Sequence, residues 1–163
     1  MVNKFLIAIA GVVAVMAALV LVPSFNREQQ QDLSIEYSRQ NLTQMDDGRL
    51  VAASADDLVI SNDLSASYRS LIGAPKEKEF SITSDEMSSL KGLIISTGFM
   101  QVLGTDYPRN DAATSLTEYT LKLTSGGTSK TINWANVDAS DSPVPSIVRN
   151  IGTRLDAIIK DHV

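Results

Sequence analysis

Glu118–Ala135 reads EYTLKLTSGGTSKTINWA, and this stretch decides the fold. Before Gly126-Gly127, the apolar residues Tyr119, Leu121 and Leu123 alternate with polar ones, and Lys130–Ala135 alternates again after it. A period of two marks strands with one buried face. Both glycines can take positive φ without a side-chain penalty, so the spacing predicts a β-hairpin of Glu118–Thr124 and Lys130–Ala135. Trp134 ends the second strand and reads as a core or sheet-edge residue in preference to a ligand platform.

Each side of the hairpin carries a helix signal. Upstream, Thr83-Ser84-Asp85-Glu86 is a capping box in which the Thr83 hydroxyl and the Glu86 carboxylate satisfy each other's backbone amides. Met87, Leu90, Leu93 and Ile94 then share one face, and Gly98 followed by Phe99 supplies a left-handed stop, giving a helix over 84–97. Downstream, Ser142 reads as an N-cap, with Pro143 and Pro145 in the first turn, where a missing amide proton costs little. Ile147, Val148, Ile151, Leu155, Ile158 and Ile159 form the apolar stripe of a second helix from about Pro145. Gly152 interrupts that helix, and a close helix–sheet contact is the expected reason. The loop between helix and hairpin, 104–116, is long enough to invite a binding role, with Asp106, Tyr107, Asn110 and Asp111 as its candidate residues.

The first half reads less clearly. Leu33–Arg39 alternates through Leu33, Ile35 and Tyr37, and Asp46-Asp47-Gly48 signals a turn. Arg49–Ala53 and Leu58–Ile60 suggest two further short strands, Ser61–Ile72 is ambiguous, and Lys78–Thr83 alternates around Phe80 and Ile82. The sum is an α+β domain over 33–163, a small antiparallel sheet packed with two helices. Asn41-Leu42-Thr43 is an N-glycosylation sequon in this segment.

Before this domain lies Phe5–Val22, FLIAIAGVVAVMAALVLV, eighteen residues without a charge. As a helix it covers roughly 27 Å, close to the hydrocarbon thickness of a bilayer. Pro23 follows it, and Ser24–Asp32 is a polar stalk. A cleaved signal peptide is the competing reading, but its apolar run is normally shorter and no A-x-A site follows here. A pilin-like leader lacks its processing site. Lys4 and the amino group on one side, against nearly cancelling charges beyond Pro23, put residues 1–4 in the cytoplasm and the domain outside. The expectation is a single-pass cell-membrane protein touching lipid through this helix. Tethering confines its domain to two dimensions and raises its effective concentration against surface partners.

Composition narrows the chemistry. The chain of 163 residues has formal charge −5 and no cysteine. Acidic balance without a basic run argues against nucleic acid as a partner, and no thiolate nucleophile or zinc–thiolate site can form. His162 is the only histidine. So near a helix end it is expected to be solvated, which leaves no histidine-based triad. Ser88-x-x-Lys91 matches a serine–lysine spacing, but the companion motifs are absent and an exposed helix face explains both. Acidic residues gather at Asp106–Asp111 and Asp138–Asp141 without the glycine and bidentate glutamate of a calcium loop. No glycine-rich phosphate loop follows a strand. No cofactor and no catalytic residue is expected.

From Ser84 onward the order of features is more particular: a helix ending in GFMQVL, a TDYP loop, EYTLKL, a Gly-Gly turn, KTINWANV, then Val-Pro and an amphipathic helix. With Phe99, Tyr107-Pro108, Tyr119, Trp134 and Pro145, this half of the chain resembles emfourin-like domains, small inhibitors of thermolysin-type metalloproteases. It is also similar to single-anchor exported proteins of ammonia-oxidising archaea. Where the family pattern has a glycine pair after its opening strand, this chain has Asp47-Gly48, so no inhibitory residue carries over. The resemblance implies a non-catalytic, membrane-anchored module outside the cytoplasm that binds a protein, a protease in its sharpest form. The alternative expectation is a structural accessory subunit of a membrane complex or cell envelope.

Overall fold

The hairpin closes on Gly126 (φ 55°) and Gly127 (φ 78°), both left-handed as a two-residue turn of this kind requires. The computed structural model describes residues 32–163. In chain order the strands are β1 (Leu33–Gln44), β2 (Leu50–Ile60), β3 (Ser65–Ser70), β4 (Lys76–Ser81), β5 (Asp106–Tyr107), β6 (Ser115–Ser125) and β7 (Thr128–Ala135). The helices are α1 (Ser84–Ser96) and α2 (Ser146–His162). All seven strands form one sheet in the order β4-β3-β2-β1-β6-β7-β5.

The sheet is mixed, which corrects the expectation of an antiparallel one. β5 runs parallel to β7, pairing Asp106 with Asn133 and Tyr107 with Trp134, while every other pair is antiparallel. A two-residue strand has no alternation to read, and Pro108, which lacks an amide proton, follows it at once.

Register decides which side chains meet. Ile35 lies opposite Ile60 and Leu123, and Tyr37 opposite Leu58 and Leu121, so these residues share one face. Both helices cover that face. Leu90 of α1 and Val148, Ile151, Leu155 and Ile158 of α2 are essentially without solvent exposure, in one cluster with the strand residues. Burial of each such side chain stabilises the fold by about 1.5–3 kcal/mol. The Thr83 capping box forms: its hydroxyl accepts from the Glu86 amide, and the Glu86 carboxylate accepts from the Thr83 amide. Gly98 is left-handed (φ 70°) and Phe99 beyond it is fully buried.

Two expectations are corrected, and one ambiguous stretch is resolved. Arg49–Ala53 and Leu58–Ile60 belong to one strand, β2. Its register slips between Asn41↔Ser54 and Leu42↔Ala52, so Ala53 is an extra residue and the alternation changes phase there. Beyond the slip Leu42, Leu116, Ala135 and Ala139 make a small second core on the opposite face. The ambiguous stretch contains β3, and Leu64 (φ 72°) turns the chain into it. Ser142 does not cap α2: Pro145 occupies the cap position without a side-chain bond, and the Ser142 carbonyl accepts from the Ser140 hydroxyl.

His162 is not a solvated end residue. Its ring stacks on Phe80 of β4 at 4.8 Å and 14°, and its Nε2 lies 3.1 Å from Glu86 Oε1. Lys78 and Lys76 donate to the carbonyls of residues 162 and 163, placing cations at the negative end of the α2 dipole. Tertiary pairing with an edge strand overrides the fraying that position alone suggests.

The apolar segment 5–22, residues 1–4 expected in the cytoplasm, and almost all of the expected stalk lie outside the described residues. Among those described, no helix is long and apolar enough to cross a membrane.

Candidate functional site: a polar and aromatic cleft under α2

α2 crosses the sheet diagonally. Its first half passes over β7, its middle over β1, and its last turn reaches β4. The crossing over β7 is close because Gly152 has no side chain: a Cβ there would lie 3.0 Å from Trp134 Cζ2. Trp134 stacks on Tyr119 at 5.1 Å and 14°, and Tyr119 on Tyr37 at 6.2 Å and 17°. The helix–sheet contact expected for Gly152 and the core role expected for Trp134 are thus one feature.

Where α2 passes over β1, the sheet face turns polar. Arg39 Nε donates to Asp56 Oδ2 at 3.0 Å, and Arg39 Nη1 to Asp156 Oδ1 at 3.1 Å. The Tyr68 hydroxyl donates to Asp56 Oδ1 at 2.7 Å, and the Tyr37 hydroxyl to Asp156 Oδ1 at 3.0 Å. β1, β2, β3 and α2 each contribute to this network. Asp56 is buried, a position a carboxylate holds only when paired. One guanidinium serves two carboxylates, so the cluster keeps a net negative charge. Burial first, then the charge and hydrogen bond of Asp156, push the Tyr37 phenol far above its usual range. Burial and then Asp156 raise Tyr119, and burial and then the Asp56 hydrogen bond raise Tyr68.

Beside this network lies a cleft of about 380 Å³. Tyr37 and Asp156 form its floor, Tyr119 and Trp134 one wall, and Val137, Arg149, Asn150 and Thr153 its rim. The rim includes an apolar side chain in water, since Val137 is 60% exposed. A neighbouring hollow of about 270 Å³ shares the Tyr119–Trp134 wall and is bounded by Asp106, Tyr107 and Arg109. Just past Asp56 and Arg39 on the same face, Asn41 joins three strands, donating to Ser54 Oγ and accepting from Thr117 Oγ1. The sequon amide nitrogen therefore already serves the sheet.

The four loop candidates separate. Asp106 and Tyr107 form β5 and line the smaller hollow, and the Tyr107 ring lies over Gly104, where a Cβ would fall 2.6 Å from its hydroxyl. Asn110 holds a turn instead: its amide donates to the Ala139 carbonyl and its side chain accepts from the Ala112 amide. Asp111 is exposed and lines neither hollow. Arg109 pairs with Glu118 at 2.7 Å and fixes the loop to β6. Lys91 donates to Asn62 Oδ1 at 2.9 Å, and among the described residues no hydrogen bond joins it to Ser88. Among the same residues no three His, Asp or Glu side chains converge as a metal site.

The network residues Arg39, Asp56, Tyr68 and Asp156 escaped the sequence reading. In the sheet Asp56 lies within β2 with polar neighbours in register, Arg39 and Ser70. Recognising it requires knowing the register. No family model matches the chain, and no curated protein is similar to it.

Proposed function

We propose that the chain is a non-catalytic protein-binding module, held at the outer side of a cell membrane by residues 5–22, with the cleft under α2 as its binding surface. The observation supporting this is the contrast between floor and rim. On the floor the Tyr37 hydroxyl donates to Asp156, and in the network beside it Arg39 and Tyr68 donate to Asp56 or Asp156, which holds these groups in place. A group so held is poorly placed to take up or deliver a substrate proton. The rim offers the exposed Val137, Asn150 and Thr153 beside the stacked rings of Tyr119 and Trp134. Rigid rings flanked by adaptable polar groups suit protein recognition because little entropy is lost on contact.

The full chain purified from native membranes should bring down a partner that is lost in Val137→Asp and Thr153→Arg. Retention of the partner by both variants would refute the assignment. In its sharper form the partner is a thermolysin-type metalloprotease, as the resemblance implies. Undiminished activity of such an enzyme at micromolar full chain sinks that form alone. A second reading, an accessory subunit of a membrane complex or envelope layer, is favoured by Leu103, wholly exposed, and Ile95, 60% exposed, both outside the cleft. Assembly lost in Leu103→Asp and kept in Val137→Asp would select it.

A further inference from the structure

Resting on the cleft as the binding surface, we propose that it receives a single organic cation, the guanidinium or ammonium of an arginine or lysine on the partner. Two carboxylates, Asp56 and Asp156, share the one guanidinium of Arg39. Both hydrogen bonds to Asp156 fall on Oδ1. Among the described residues no hydrogen bond falls on Oδ2, and the carboxylate side chain, 35% exposed, lines the cleft. An incoming cation completes the pairing of the second carboxylate in a recess partly closed to water, where such a contact is stronger than on open surface.

The shape agrees with the charge. Tyr119 and Trp134 offer hydrocarbon to the stem of a long basic side chain while its head reaches the floor. The volume of about 380 Å³ falls in the range of sites that enclose a small group. An anion entering the same way meets Asp156. Arg149, the other charged residue of the lining, stands at the rim and repels a second cation. The selected sequence is therefore an isolated basic residue, not a basic run.

Trp134 is the only tryptophan, so its fluorescence reports from the cleft wall. The test titrates the full chain in an uncharged detergent with N-acetyl-arginine amide, its lysine counterpart, neutral N-acetyl-citrulline amide and N-acetyl-glutamate amide. A saturable change at millimolar arginine or lysine, at least tenfold weaker for citrulline and absent for glutamate, is expected. Asp156→Asn should abolish it. Arg149→Ala, an exposed helix position, should tighten it about threefold, a gain that misfolding cannot produce. Citrulline equal to arginine, a response to glutamate, or weaker binding in Arg149→Ala overturns the proposal. If these fail while the partner is still lost in Val137→Asp and Thr153→Arg, the binding surface stands and the cation is wrong.

Discussion

Two helix glycines make a matched experiment. Gly92 lies inside α1, where an added Cβ meets nothing within 4 Å. Gly92→Ala should therefore stabilise by the intrinsic preference of alanine in a helix, about 1 kcal/mol. Gly152→Ala gains the same about 1 kcal/mol but puts its Cβ 3.0 Å from Trp134 Cζ2. The optimum for such a pair is about 3.5–4.0 Å, so either the ring or the helix must give way. The ring is held by Tyr119, and the helix by Ile151, Leu155 and Ile158, none of them more than 1% exposed. Overpacking of this kind costs about 1–3 kcal/mol. The net expectation is a loss of about 1 kcal/mol, and a difference of about 2 kcal/mol between the two variants. Urea unfolding followed by Trp134 fluorescence measures both. With a slope of about 2 kcal/mol per molar, the midpoint should rise by about 0.5 M in Gly92→Ala and fall by about 0.5 M in Gly152→Ala. If both midpoints rise together, α2 does not rest on Trp134 and the cleft geometry is wrong.

Other outcomes follow from the same contacts. Arg39→Ala leaves Asp56 and Asp156 facing each other without a cation and should destabilise by about 2–4 kcal/mol, somewhat below a fully buried pair because Arg39 is partly exposed; the check is the urea midpoint. The Thr83 amide, more than the other groups near it, holds the Glu86 carboxylate below its usual range. The folded value thus lies below the unfolded one, so this stability is fully present above about pH 4.3 and lost as pH falls through the folded value. Thermal unfolding from pH 7 to 3 should show that loss, with a smaller fall in Glu86→Gln. His162→Ala removes the Phe80 stack and the Glu86 contact; about 0.5–1.5 kcal/mol should go, with faster amide exchange confined to the last turn of α2.

The second half of the domain was legible because its signals are local. A glycine pair between alternating runs, a capping box and an apolar stripe each depend on residues within one or two turns. The first half was not, because its decisive features join distant residues. Ala53 is read as a strand end until Ser54 is paired with Asn41, and Asp56 falls between the two expected strands until Arg39 and Tyr68 are placed beside it. Asp106 and Tyr107 were singled out for the length of their loop, and they do line a hollow. Asn110 was singled out for the same reason and serves only its turn. The floor of the larger cleft and the network beside it combine residues 37, 39 and 156, a separation over which no sequence period carries information. His162 shows the same limit from the other side: proximity to a helix end predicts fraying, and only the fold brings Phe80 and Glu86 to it.

The central claim, that the cleft under α2 is where a partner protein docks, is tested most directly by site-specific photocrosslinking in native membranes. A photoreactive residue replacing Val137 or Thr153 should yield a protein adduct of the full chain, and one replacing Ser67 or Thr131 on the opposite sheet face should not. Adducts from Ser67 and Thr131 with none from Val137 or Thr153 would contradict the account.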